Sequence, residues 1–140
     1  MMQRILVAVD DTPPAMAAAT FATELAKNQG ANLHFVAVSE PALEAENTLH
    51  HLTALAENAG LTPTSTSADG GHPFEVLLEI AEDWNADLIV MGRSDNRRPG
   101  VPYVGSQTEH LLEFTNIPVL VVPYPPPKVA SHSTSTKNQT

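Results

Sequence analysis

Apolar positions along this chain alternate between short unbroken clusters and longer stretches that are apolar on one side only, a pattern that predicts strands and helices in turn. The first cluster, RILVAVD (Arg4–Asp10), is β-branched and nearly all apolar, as in a strand buried on both faces. It stops at Asp10, Asp11 and Thr12. The following PPAMAAATFATELAKNQG is rich in helix formers, with Met16, Ala19, Thr20 and Leu25 on or near one face, prolines at its entrance and Gly30 beyond its end. NLHFVAVS (Asn32–Ser39) is a second buried strand. LEAENTLHHLTALAENAG is an amphipathic helix with Leu49, Leu52 and Leu55 at three-residue spacing, closed by Gly60. LTPTSTSA is a weaker strand, supported by its threonines. HPFEVLLEIAEDWNA repeats the helical pattern through Phe74, Leu77, Leu78 and Ala81, and DLIVMG repeats the strand. GSQTEHLLEFTN and IPVLVVP complete the series.

Strands separated by helices imply an α/β fold with a mostly parallel sheet, because each helix supplies the crossover that parallel neighbours require. Right-handed crossovers place helices on both faces. Residues 1–124 form the expected domain. The tail from 125 to 140 is rich in Pro, Ser and Thr, has almost nothing to bury, and is expected to be disordered.

Composition narrows the picture. A chain of 140 residues suits one core, and 42% hydrophobic with only 5% aromatic residues suits a core of Val, Leu, Ile and Ala. The absence of cysteine excludes disulfides and thiolate metal sites. No signal peptide or membrane-length apolar run is recognisable, so a cytoplasmic protein without membrane insertion is expected. A net charge of −9 argues against nucleic acid as a partner.

In such a sheet, ligands sit beyond the carboxyl ends of the strands, where the strand order reverses. Two loops therefore attract attention: the DDTPP segment, with Asp10 and Thr12, and the segment from Met91 to Thr108. There, Gly92 ends the apolar run and Gly105-Ser106 opens a helix whose free N–H groups suit an anion such as phosphate. Gln107 and Thr108 lie in the same first turn. The alternative is that Gly92 is a turn and Ser106 merely an N-cap.

From Arg4 through Pro123 the chain resembles the universal stress protein family, through ILVAVDDT, ADLIVMGRS, GSQTEHLL and IPVLVVP in that order. The resemblance implies a five-stranded parallel sheet in order 3-2-1-4-5, a Rossmann-like fold with a nucleotide between the loops after strands 1 and 4. In the ATP-binding branch the phosphate loop reads Gly, two residues, Gly, nine residues, then Gly with Ser or Thr. Here Gly92 and Gly105-Ser106 keep the frame, while Asp95 stands where the second glycine belongs. Carried over by position, Asp10 meets the adenosine part, Val38 lies against the adenine, Met91 and Gly92 pass under the ribose and phosphates, and Gly105, Ser106, Gln107 and Thr108 hold the triphosphate. The family also implies a homodimer through the last strand, Pro118–Pro123, whose short apolar edge is an aggregation hazard if left unpaired.

Asp95 makes the nucleotide reading conditional. A carboxylate beside a phosphate oxygen costs about 4 kcal/mol per unit-charge pair at an effective dielectric of about 20. Arg97 and Arg98 in the same loop, or a bound Mg²⁺, offset that cost. One expectation is thus a regulatory dimer that binds ATP, with or without Mg²⁺, and signals to an unidentified protein partner. The alternative is an interaction dimer that has lost its nucleotide. A third reading is slow ATP hydrolysis or self-phosphorylation at Ser106 or Thr108, which the family resemblance leaves open. No Walker lysine, GxGxxG or Ser-His-Asp context points to a catalytic residue. Adjacent His50 and His51 point about 100° apart on a helix and are read as surface residues rather than metal ligands; His72 and His110, whose positions allow approach to the site, are read as ordinary exposed histidines. Glu75, Glu79, Glu82 and Asp83 are read as a solvated face, and Trp84 as packing over the sheet edge.

Overall fold

A computed structural model describes residues 2–10, 12–38, 42–68, 73–93 and 106–123, without the side chains of 42–45, 73, 106–108 and 110. Asp95, Gly105, the arginines at 97 and 98, His72 and the 125–140 tail lie outside the described residues. The elements follow in the order β1 (Arg4–Val9), α1 (Pro13–Gln29), β2 (Asn32–Val38), α2 (Ala42–Asn58), β3 (Thr64–Ala68), α3 (Pro73–Trp84), β4 (Leu88–Arg93), α4 (Ser106–Phe114) and β5 (Val119–Pro123). All strands pair in parallel, in the order β3-β2-β1-β4-β5. The expected topology is therefore the observed one.

Central β1 shows why its sequence is so uniformly apolar: Ile5, Leu6 and Val7 are each 0% exposed, because helices cover both faces. Ile5, Val7 and Val9 join Leu33, Phe35 and Ala37 of β2 in a core beneath α1 and α2. Leu6 and Val36 face the other way, toward Leu77 and Ala81 of α3 and Leu111 of α4.

Helix α1 buries Ala15, Ala18, Ala19, Ala22, Thr23 and Ala26, whereas Thr20 is exposed and Met16 and Leu25 are only partly buried. The expected face was thus rotated toward the larger residues, and the observed one is a stripe of methyl groups. Small side chains let the helix backbone approach the sheet closely. Leu55 is likewise only partly buried, because α2 seats Leu49, Leu52 and Ala56 instead. At the end of α1, Gly30 takes φ +66°, where a side chain is strained, and donates its N–H to Ala26 O.

Trp84 ends α3 with its ring 5.2 Å from that of His34 on β2, next to edge strand β3, as its expected place over the sheet edge implies. The acidic residues of α3 are all exposed.

Candidate functional site

The strand order turns at β1. Helix α1 leads from β1 to β2 on one side, whereas β4, reached only after β3, lies on the other. This is the position at which α/β sheets leave a crevice beyond their carboxyl ends. Asp10 leaves β1 at that point, and Val9 is in register with Ala37, so Val38 stands beside it on β2. Arg93, one residue past Gly92, ends β4 on the opposite side of β1, and Ser106 begins α4.

The start of α1 has no N–H group to spare for a ligand. Pro13 and Pro14 occupy its first positions, and the N–H groups of Ala15 and Met16 donate to Thr12 O at 3.1 and 3.2 Å. Extended Thr12 makes no side-chain cap; its hydroxyl donates to a carboxylate oxygen of exposed Asp10. The two residues thus form one polar corner. Helix α4 differs in composition, because Ser106, Gln107, Thr108 and Glu109 in its first turn include no proline.

Gly92 lies inside β4, paired with Val122 of β5, and the strand runs one residue further to Arg93. It is therefore neither the strand end nor a turn. A Cβ on Gly92 would stand 2.6 Å from the carbonyl carbon of Pro14 and 3.0 Å from its Cβ, closer than carbon atoms pack. Glycine here lets the first turn of α1 rest on β4, and so sets the distance between the Asp10–Thr12 corner and the β4 exit. Met91 is buried on the α3/α4 face, and the Val38 side chain is half-buried in the same cluster.

Arg93 went unremarked in the sequence. It is partly buried, and among the described residues its Nε is a buried donor with no hydrogen-bond acceptor. A cation at the exit of β4 is the opposite charge to the one a phosphate brings.

On the α1/α2 side of the crevice a cleft of about 420 Å³ opens between the two helices. Asp10, Thr12 and Met16 line one wall, and Asn47, Thr48 and His51 the other, with buried Leu52 beneath. Residues 47, 48, 51 and 52 share one face of α2 by helical spacing. Sequence spacing alone reads His51 as a surface residue and Leu52 as part of the apolar face and singles out neither Asn47 nor Thr48, because their meeting with Asp10 depends on how α2 lies over β2.

The structure thus brings Asp10 and Thr12 together, with Val38 beside them and Gly92 across β1. The side chains of Ser106, Gln107 and Thr108 are not described. Among the described residues no helix is long and apolar enough to cross a membrane.

Comparison with known proteins agrees with this architecture. Residues 1–47 and 37–123 match the universal stress protein family. A universal stress protein of Thermus aquaticus is 30% identical over 136 residues, covering 87% of this chain and 99% of that protein. Universal stress protein MJ0577 of Methanocaldococcus jannaschii is 33% identical over 79 residues, a match that spans 56% of this chain and 48% of that protein. The solved MJ0577 structure superposes with a TM-score of 0.74 over 88% of this chain and 96% of its own, at 23% identity. Two further solved universal stress proteins, one in complex with cAMP and one from Archaeoglobus fulgidus in complex with dAMP, share the fold at TM-scores of 0.69. They are 22% and 19% identical, and each match covers 86% of this chain and 96% and 97% of theirs. The chain is a member of the universal stress protein family.

Proposed function

We propose that this protein is a regulatory adenine-nucleotide binder that takes ATP in the crevice between the β1 and β4 exits and signals as a homodimer. The observation that carries the reading is the pairing of two unlike ends across β1. On one side is the neutral and acidic corner of Asp10 and Thr12; on the other are Gly92, Arg93 and the proline-free start of α4. A nucleotide has the same polarity, with a hydrogen-bonding nucleoside at one end and anionic phosphates at the other.

In this reading Asp10 and Thr12 meet the ribose, and Val38 offers its main chain to the base, since its side chain is turned to the α3/α4 face. Met91 and Gly92 floor the site. Gly105, Ser106, Gln107 and Thr108 hold the phosphates with N–H groups of the helix start, where the helix dipole favours an anion. The cAMP and dAMP complexes of similar proteins support an adenine nucleotide as the ligand class. In the sequence frame Asp95 takes the place of a phosphate-loop glycine, and in this reading Arg93 or Mg²⁺ offsets its charge.

Titration calorimetry of nucleotide-free protein with AMP and ATP, with and without Mg²⁺, tests the proposal. Binding in the micromolar range is expected, with Asp95→Gly tightening ATP more than AMP. No heat at millimolar ATP and AMP would leave the nucleotide-free interaction dimer as the role.

A further inference from the structure

We propose that the α2 wall of the cleft, Asn47, Thr48 and His51, is the nucleoside-recognition surface of this protein. The inference rests on the adenine-nucleotide reading and deepens it, by assigning the uncharged end of the ligand to side chains that the family pattern does not include.

The cleft's volume of about 420 Å³ falls in the range of small-molecule sites. Its chemistry selects the end of the ligand. Among the described residues no lysine or arginine lines it, and Asp10 does, so a phosphate would meet a carboxylate with no described cation to offset it. A neutral, flat, hydrogen-bonding group meets complementary surroundings instead. Partly buried Met16 presents apolar surface over buried Leu52, and a thioether makes favourable contact with an aromatic ring. Asn47 supplies both a donor and an acceptor through one amide, as the edge of a nucleobase does, while the Thr48 hydroxyl and the His51 imidazole each donate or accept. Asp10, already accepting from Thr12, matches the donors of ribose hydroxyls.

Geometry supports the same division. Asp10 lies at the exit of β1 and belongs both to this cleft and to the crevice toward β4. A ligand lying across Asp10 therefore has its two ends in different surroundings: α2 on one side, and Gly92, Arg93 and the start of α4 on the other. Asn47 and His51 are exposed, so replacing them removes contacts to a ligand without emptying the core.

The test is calorimetric titration of the full-length, nucleotide-free protein with adenosine, AMP and ATP, comparing wild type with Asn47→Ala, His51→Ala and Thr48→Phe. Removing one hydrogen bond is expected to weaken binding about three- to tenfold. That loss should be the same for all three ligands, because they share the nucleoside. Thr48→Phe intrudes on the cleft from the α2 wall and should weaken all three by at least about tenfold. Unchanged circular dichroism and melting temperature of Asn47→Ala and His51→Ala establish that the losses are local. If wild type binds AMP and these variants bind all three ligands within twofold of it, the α2 assignment is wrong and the nucleotide reading stands. A loss confined to ATP overturns the assignment as well, since it marks a phosphate contact. If wild type binds none of the three at millimolar concentration, the nucleotide reading fails, and this inference with it.

Discussion

At one edge of the sheet β3 is the run TSTSA, and at the other β5 is the run VLVVP. The two edges are held by different physics. Strand β3 has little apolar surface to bury, so its attachment beyond the backbone ladder is polar: His34 on β2 bonds Thr64 Oγ1 through Nδ1 at 2.5 Å and Thr66 Oγ1 through Nε2 at 2.8 Å. The neutral ring donates at one nitrogen and accepts at the other, and the hydroxyls adapt to either tautomer. Strand β5 needs no such tie. Leu120 packs into the core under α1 and α2, and Val119 and Val121 into the core under α3 and α4. Among the described residues its backbone ladder runs to β4 alone, and its outer edge is a row of N–H and C=O groups between apolar side chains. A polar, pinned edge discourages a second chain, whereas a short apolar edge favours one.

The largest effect expected from breaking this contrast is on assembly. Lysine is the residue with which proteins commonly block exposed edges, and Val121→Lys gives β5 the character of β3. Its long stem reaches solvent from a half-buried position, so the monomer should stay folded. If β5 is the homodimer seam, the dissociation constant should rise at least about a hundredfold, or about 3 kcal/mol. Sedimentation at several concentrations measures this. Ser65→Lys, at an exposed position of β3, is the matched control and should leave the dimer intact.

Next in size is Gly92→Ala, which probes what holds β4 and β5 to the rest of the fold. The added methyl meets the backbone of Pro14, which cannot rotate away as a side-chain tip would. Either α1 lifts from β4 or the strand bends, at about 1–3 kcal/mol. A melting temperature within 1 °C of wild type would contradict the close approach. Because α1 carries Met16 and Thr12 immediately precedes it, the same variant should weaken AMP binding.

That glycine also shows how far the sequence could be read. The periodicities located every element, since β-branched runs and gapped apolar faces are local signals. The strand order was legible only through the family resemblance, because crossover direction leaves no mark on periodicity. The α1 face was misjudged because alanine contributes little to hydrophobic contrast, yet packs a helix closest to a sheet. Gly92 stood out, but as a place for ligand or turn; the Pro14 backbone that requires it is 78 residues away in sequence. His34 was hidden inside an apolar strand. A histidine there, with Thr64 and Thr66 two residues apart on a later strand, is a signal that a pairing map is needed to interpret. The α2 wall of the cleft was invisible for the same reason.

A smaller effect is expected at the polar edge. His34→Phe removes both bonds to β3 and leaves two threonine hydroxyls to find water, costing about 1–2 kcal/mol. Burial lowers the His34 pKa below the ordinary 6.5. Between that lowered value and 6.5 the unfolded chain binds more protons than the folded one, so stability rises with pH. The contribution is fully present above 6.5 and is lost as pH falls below it. Wild type should therefore lose melting temperature between pH 7.5 and 5.5 faster than His34→Phe. Parallel curves for the two proteins would show that His34 does not titrate with folding. Hydrogen exchange in β3 should quicken in the variant, while β5 keeps its protection.

The smallest effect belongs to the centre of the sheet, where neither edge is involved. Asp87 precedes β4 and accepts the N–H groups of Gln3 and Arg4 on one oxygen, Oδ2, at 2.8 Å each. These bonds, Gln3 first and Arg4 second, lower its pKa below the ordinary 3.8. The carboxylate's contribution is therefore present above that value and lost as pH falls through the lower folded one. Asp87→Asn keeps a carbonyl oxygen able to accept both bonds but removes the charge that strengthens them. At this exposed position a fall in melting temperature of less than about 3 °C is expected at pH 7. The difference from wild type should vanish below the folded pKa, where Asp87 is itself neutral. Assembly through β5 and the His34-dependent pH slope should both survive unchanged, because the residue enters between β1 and β4 and touches neither edge. A change in either would mean that the two edges are coupled through the entry to the central strands, rather than held independently as their contacts indicate.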